Sequence, residues 1–330
     1  MRLVSEIFLS VCIIIVIAGC AVTGVPVTDA PEKQVELPEA LVSNSEPSGS
    51  PAPPGSQTGT VSAPNNASPS AGHGEGWIIR VENTAGEILF EFTEAELRTL
   101  LQAGHEINAC VYSTINNWPS ARFFVAEGWG VRGLLQASGV FETVRRVTIR
   151  AADGYEVSLT REQLFGEQFY FPRVGESFEE AVPVEPMIAY RWREGTDDIS
   201  EVRDDKPVFI FGQRTPYEHT NPAFVVGVAE IIVDFEPCEA WQAADTFPRP
   251  GLIEPGETVK LQHPFFGLVK MYYTLDGSEP TMLSALYNPS TYQTELNKPI
   301  PVTEPVTIKV LVTGYGRDDS EVAVFDFRPE

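Results

Sequence analysis

The sequence predicts an α+β domain followed by a small all-β domain, both preceded by a long disordered tether. Three observations predict this arrangement. Residues 21–75 contain no Phe, Trp or Tyr and are rich in Pro, Ser, Gly, Ala and Thr. Between residues 76 and 238, strand-like runs outnumber helical ones and do not alternate regularly with them, which favours α+β over a doubly wound sheet. From residue 252 to 330, short strand-like runs recur with turns between them, as in a β-sandwich.

The first twenty residues have the pattern of a secretion signal. An apolar segment of roughly eleven residues, Ile7–Ile17, is short for a membrane span, which needs about 20. It leads into Ala18-Gly19-Cys20, which resembles the lipobox of bacterial lipoproteins. The resemblance implies that residues 1–19 are a signal peptide and that cleavage leaves Cys20 as a lipidated first residue. A diacylglyceryl group on Cys20 would then anchor the chain to the cell membrane, facing outside the cytoplasm.

Residues 20–75 form the predicted tether, because such a composition cannot bury enough apolar surface to offset the entropy of ordering it. A flexible coil of roughly 55 residues spans about 40 Å on average. The whole chain is acidic, with 46 Asp and Glu against 23 Lys and Arg and a formal net charge of −23. This charge argues against nucleic acid as a partner and against electrostatic attachment to anionic lipids, which leaves the acyl group as the membrane anchor.

The middle region, residues 76–238, contains two predicted helices and a hairpin among its strands. Thr93 and Glu96 form a predicted capping box at the start of the first helix. The second helix, Val131–Ser138, is closed by Gly139. Asp153-Gly154 predicts the tight turn of a β-hairpin. The later predicted strands are Met187–Trp192, Val208–Phe211 and Val225–Val233.

Several segments of this region, in their order and spacing, resemble the sulfite-oxidase-type molybdopterin-binding fold over roughly residues 77–235. The segments are Glu127–Val140, Ala152–Tyr155, Pro186–Tyr190 and Lys206–Gln213. In that family an early cysteine thiolate binds molybdenum, and Cys110 lies in about that place. Two points oppose a bound molybdopterin. The signal segment has only Arg2 rather than a twin-arginine pair, and residues 110–119 lack basic residues for a pterin phosphate. The resemblance therefore favours a cofactor-free relative.

Two further sets of residues are candidates for a role in the folded domains. Cys110 and Cys238 are the cysteines left after the signal peptide and Cys20, and in an oxidising compartment they either form a disulfide or stay separate thiols. Trp118, Trp129 and Tyr217 fall near predicted loops, where they would line a cleft that stacks on sugars or peptides. Core packing explains these aromatic residues equally well.

The C-terminal region, residues 252–330, follows a predicted linker at residues 239–251. Its segment Tyr272–Thr281, with Ser284, Tyr287 and Gly314, resembles the chitobiase/hexosaminidase C-terminal domain. The resemblance implies a fibronectin-III-like module found beside bacterial carbohydrate-active enzymes and in surface proteins. Members of that family are accessory, without catalytic residues of their own.

Together these observations predict a membrane-anchored surface lipoprotein that binds or scaffolds something outside the cytoplasm without catalysis. Cell wall or extracellular glycan is the first expected partner. One alternative is a molybdopterin-dependent oxidoreductase with Cys110 as the molybdenum ligand, and another is a purely structural surface spacer. The common hydrolase and phosphate-binding motifs do not occur in the sequence, which favours a protein that is not an enzyme.

Overall fold

The computed structural model describes residues 78–100, 106–116, 118–290 and 293–330. The predicted signal peptide (1–19), Cys20 and the predicted tether (20–75) lie outside these residues. No helix in the described part of the chain is long and apolar enough to cross a membrane.

Twelve strands are found between residues 78 and 234 of the described chain. They are β1 (Ile78–Asn83), β2 (Ile88–Thr93), β3 (Glu106–Ile115), β4 (Ala121–Gly130), β5 (Arg146–Ala151), β6 (Glu156–Thr160), β7 (Phe169–Tyr170), β8 (Val182–Pro183), β9 (Met187–Glu194), β10 (Asp204–Ile210), β11 (Val225–Val226) and β12 (Val228–Asp234). Three short helices connect them. They are α1 (Glu94–Leu100), α2 (Val131–Ala137) and α3 (Arg161–Phe165).

These strands form two five-stranded sheets and one small pair, β7-β8. The first sheet has the order β2-β1-β12-β5-β6, with β1 and β12 parallel and the other neighbours antiparallel. The second sheet, β11-β10-β9-β4-β3, is antiparallel throughout. Because strand side chains alternate, Ile188 and Phe209 of the second sheet join the core shared with the first sheet, whereas Met187 and Ile210 join a separate apolar cluster on the other face.

Local sequence rules explain how the helices and turns are placed. Thr93 and Glu96 form the predicted capping box, because the Glu96 carboxylate accepts from the Thr93 backbone N–H at 2.9 Å and the Glu96 N–H donates to the Thr93 hydroxyl at 3.4 Å. Gly139 follows α2 with a φ of 75°, the left-handed geometry that ends a helix. Gly154, with a φ of 90°, turns the chain between β5 and β6 as predicted.

The predicted α+β class is wrong. In the described residues, the three α-helices have only seven, seven and five residues, against twenty strands. Helix α1 buries a single residue, Leu97, so it does not form a helical layer over a sheet. The sequence correctly indicated α1 and α2 but not α3, and strand pairing takes up most of the remaining chain. The domain is therefore predominantly β, and no finding shows the sulfite-oxidase-type fold predicted for residues 76–238.

The C-terminal region is a β-sandwich with its own core. Its strands are β13 (Asp245–Phe247), β14 (Gly251–Ile253), β15 (Thr258–Gln262), β16 (Lys270–Thr274), β17 (Ala285–Leu286), β18 (Ile300–Pro301), β19 (Val306–Thr313) and β20 (Ala323–Pro329). They form the sheets β13-β15-β18 and β14-β20-β19-β16-β17. Inward residues of both sheets, among them Val259, Ile300, Met271, Val310 and Phe327, pack into one apolar cluster. The all-β architecture predicted for this region is confirmed.

Candidate ligand-binding site

A groove of about 790 Å³ lies where the middle region meets the loop between β19 and β20. We call it the arginine groove, because Arg132, Arg145 and Arg161 line it together with Phe165, Cys238 and Asp318. Arg132 lies on α2, Arg145 immediately precedes β5, and Arg161 is the first residue of α3. Asp318 comes from the β19–β20 loop, so two separate cores of the protein contribute to one concave surface.

Two phenylalanine rings hold two of the guanidinium groups in place. The Arg132 guanidinium carbon lies 4.9 Å from the Phe141 ring centroid and 5.0 Å from that of Phe165. The Arg161 guanidinium carbon lies 4.5 Å from the Phe141 centroid, and its Nη1 donates to the Phe141 carbonyl oxygen. Stacking on a ring uses the face of a guanidinium and leaves N–H groups at its edge available to a ligand.

The charge of this groove differs from that of the chain as a whole. Ten other arginines of the described residues form ion pairs with carboxylates, whereas Arg132, Arg145 and Arg161 form none there. The chain carries a formal charge of −23, so carboxylates are abundant elsewhere on its surface. Arg145 is exposed, and Arg132 and Arg161 are half-buried. The groove therefore presents three arginines against two carboxylates, Glu162 and Asp318, and this excess of positive charge is one that a ligand can reach.

A second groove of about 510 Å³ adjoins the first and shares Thr160, Glu162, Gly166 and Asp318 with it. Its other walls include Phe169, Phe178 and Asp319. Burial raises the pKa of the Asp319 carboxyl above its usual value, although the nearby Arg214 partly opposes this shift. The two grooves form a continuous surface that is basic at one end and acidic at the other.

Gln163 joins α3 to the β19–β20 loop. It completes a capping box with Thr160 at the start of α3, since its Oε1 accepts from the Thr160 N–H at 3.1 Å. The same oxygen accepts from the Gly316 N–H at 3.0 Å. Its Nε2 donates to the carbonyl oxygens of Gly314 and Arg317, both at 2.8 Å. All four contacts come from one side chain that is almost fully buried, so Gln163 fixes the two walls of the groove relative to each other.

A buried polar network lies beside this joint. Arg214 donates to the Glu218 carboxylate, with an Nε–Oε1 distance of 2.9 Å, and the Tyr315 hydroxyl donates to the His219 carbonyl oxygen at 2.9 Å. Burial raises the pKa of the Tyr315 hydroxyl far above its usual range. Burial, with a smaller contribution from Lys270, lowers the pKa of His219 to about 4. The Tyr315 hydroxyl thus connects the β19–β20 loop of the sandwich to the segment after β10, through the His219 carbonyl oxygen and the Glu218 carboxylate.

The sandwich matches a known family. Residues 248–324 match the family model of the chitobiase/beta-hexosaminidase C-terminal domain. The resemblance predicted from the Tyr272–Thr281 segment is thus confirmed for this part of the chain. We refer to residues 248–324 as the chitobiase-type domain. A comparison of the whole chain with curated proteins found no significant match.

The chitobiase-type domain supplies Asp318 to one side of the arginine groove. Gly314, Gly316, Arg317 and Asp318 all lie within this domain, in the loop that Gln163 holds. A Cβ on Gly314 would lie 2.9 Å from the Trp241 ring, and one on Gly316 would lie 3.0 Å from the Ser158 Cβ. Glycine at these two positions therefore lets the loop approach its neighbours closely.

The two cysteines predicted as a possible pair are both free thiols in the structure. Cys110 lies on β3 and packs against the apolar cluster that contains Tyr112 and Phe124. Cys238 lies after β12 in the arginine groove, where its thiol is 3.6 Å from the Arg145 carbonyl oxygen. The structure therefore does not bring the two sulfurs together, because Cys110 lies on β3 of the second sheet and Cys238 in the loop that follows β12 of the first sheet.

The surroundings of Cys110 disfavour the thiolate that a molybdenum ion would need. Burial raises the pKa of its thiol, which opposes the thiolate that would bind the metal, and Tyr112 only partly offsets this effect. We therefore assign no reaction step to a molybdopterin.

The predicted aromatic cleft is wrong at one of its three residues. Trp129 is 1% exposed and packs in the main core, where its Nε1 donates to the Leu97 carbonyl oxygen at 3.1 Å. Trp118 is exposed in the β3–β4 connection. Tyr217 is also exposed, and its hydroxyl donates to the Glu176 carbonyl oxygen. Loop placement alone could not reveal that Trp129 lies on β4 with its side chain in the core shared by the two sheets.

Proposed function

We propose that this chain is a lipid-anchored extracytoplasmic protein that binds a glycan without cleaving it. Cys20 would carry the diacylglyceryl anchor, and the binding site would be the arginine groove with its acidic extension. No cofactor is needed for this role. The chitobiase-type domain supports a function related to carbohydrate, since its family is named after enzymes that act on sugars.

The observation that carries the proposal is the joint construction of the groove. The chitobiase-type domain does not stand apart from the middle region, because Gln163 donates to two of its carbonyl oxygens and accepts from one of its N–H groups. Its Asp318 lines the same groove as Arg132 and Phe165. Sugar sites combine charged and hydrogen-bonding side chains with an apolar ring in a concave surface, and this groove offers that combination.

A variant that fills the groove tests the proposal. Glu162 is exposed on α3 and lines both grooves, so Glu162→Trp would obstruct the shared surface. Ala95→Trp, on the exposed face of α1, introduces the same side chain outside either groove and is the control. Binding of the purified full chain to a panel of soluble neutral and acidic oligosaccharides is measured by calorimetry, and the products are analysed chromatographically.

The proposal expects at least one oligosaccharide to bind, to remain intact, and to lose most of its affinity in Glu162→Trp but not in Ala95→Trp. Binding that survives Glu162→Trp would place the site elsewhere. Failure of every glycan to bind would contradict the proposed function itself, and release of shortened products would show that the protein is catalytic.

A further inference from the structure

The arginine groove has more positive than negative side chains, and its three arginines form no ion pair within the described residues. The three guanidinium groups come from α2, from the residue before β5 and from α3, and none has a carboxylate partner within the described residues. Glu162 and Asp318 also line the groove, but neither forms an ion pair with these arginines. Like charges held close together repel one another, and an anion bound among them would relieve that repulsion.

Two of the three guanidinium groups, those of Arg132 and Arg161, are also fixed before a ligand arrives. Arg132 and Arg161 both stack on Phe141, and the Phe141 and Phe165 rings contact each other edge-to-face with centroids 5.2 Å apart. The Arg161 backbone N–H donates to the Arg145 carbonyl oxygen at 2.7 Å, which ties the start of α3 to the segment before β5. A guanidinium group held in this way loses less conformational entropy when a ligand binds. Its N–H groups match the geometry of the oxygens of a carboxylate or a sulfate.

We infer that the arginine groove selects an anionic glycan, one whose sugars carry carboxylate or sulfate groups. The inference rests on the proposed function, and it adds the chemical class of the ligand. The anionic group binds at Arg132, Arg145 and Arg161, and the adjoining sugar ring lies along Phe165. Specificity then comes from charge rather than from the sugar alone, because a neutral oligosaccharide leaves three guanidinium groups without partners.

Three soluble probes and two matched double variants test this inference. The probes are an oligogalacturonate, which carries carboxylates, a dextran sulfate oligomer, and neutral chitohexaose. The test variant is Arg132→Gln/Arg145→Gln, which leaves Arg161 and its hydrogen bond to Phe141 intact. The control is Arg203→Gln/Arg249→Gln, which removes an equal number of charges from exposed arginines that do not line the groove and form no ion pair with any described residue. Affinity is measured by calorimetry on the full chain, with thermal unfolding as a check of folding.

The expected result is that one or both anionic probes bind more tightly than chitohexaose. The test variant should weaken anionic binding about tenfold or more, and the control should change it by less than about twofold. Arg132→Lys, which keeps the charge but loses the planar fork, should give an intermediate loss. Whether oligogalacturonate or dextran sulfate binds more tightly identifies the anionic group.

Equal loss in the test and control variants would overturn the inference, because binding would then follow net charge only. Tighter binding of chitohexaose, unaffected by the arginine substitutions, would also overturn it while leaving the proposed glycan-binding function in place. If none of the three probes binds and the panel of oligosaccharides gives none either, the proposed function fails together with the inference.

Discussion

The substitution Gln163→Ala should separate the two walls of the groove, because this side chain makes four hydrogen bonds in a nearly buried position. Three of them reach the β19–β20 loop, at Gly314, Gly316 and Arg317, and the fourth caps α3 at Thr160. Each such bond contributes about 1 kcal/mol net, and a buried group left without a partner costs more. We therefore expect the free energy of unfolding to fall by about 3–4 kcal/mol.

Urea unfolding followed by tryptophan fluorescence and by circular dichroism measures this loss. Gln136→Ala is the matched control, since Gln136 is an exposed helical glutamine and its removal should change stability by less than about 0.5 kcal/mol. Gln163→Glu should be at least as harmful as Gln163→Ala, because it places a carboxylate against two carbonyl oxygens. A loss below about 1 kcal/mol for Gln163→Ala would refute the view that this residue joins the two walls.

Three further outcomes are expected. Burial holds the pKa of His219 at about 4 in the folded chain, below its ordinary value of 6.5. The free energy of unfolding should therefore fall by on the order of 3 kcal/mol as the pH drops from 6.5 to 4. His219→Gln should remove this part of the pH dependence in unfolding measurements. Gly128→Ala should unfold the protein or lower its free energy of unfolding by more than about 3 kcal/mol, because the new Cβ would lie 2.2 Å from the Ile188 carbonyl oxygen. In the control Gly267→Ala the new Cβ meets nothing within 4 Å, so thermal unfolding should be nearly unchanged. Cys20→Ala should move the protein out of the detergent-soluble lipid fraction or leave it uncleaved, and unchanged partitioning would contradict the lipid anchor.

Features that depend on short stretches of chain could be predicted from the sequence. The capping box at Thr93 and Glu96 and the turn at Asp153-Gly154 form as expected, because each needs only a few neighbouring residues. The C-terminal sandwich was also predictable, since its strands are short, sequential and separated by turns. The balance of helix and strand could not be predicted, because the two short helices give the same local periodicity as the start of longer helices.

The arginine groove could not be predicted, because its parts are distant in sequence. Arg132, Arg145 and Arg161 converge only when β5 and β6 pair and α2 and α3 pack beside them. The one local indication was the Thr160–Gln163 capping box, which places Arg161 at the first position of a helix. Trp129 shows the opposite problem. It follows a glycine and lies just before a helix, as a loop residue often does, yet it is part of β4 and its side chain is buried in the main core.

Backbone hydrogen exchange, measured by mass spectrometry on the full chain with and without a bound oligosaccharide, tests the central claim most directly. If the groove formed by the middle region and the chitobiase-type domain is the binding site, the ligand should slow exchange at residues 159–166 and at residues 314–319 together. Protection confined to other surfaces, or no protection at saturating ligand, would contradict the account.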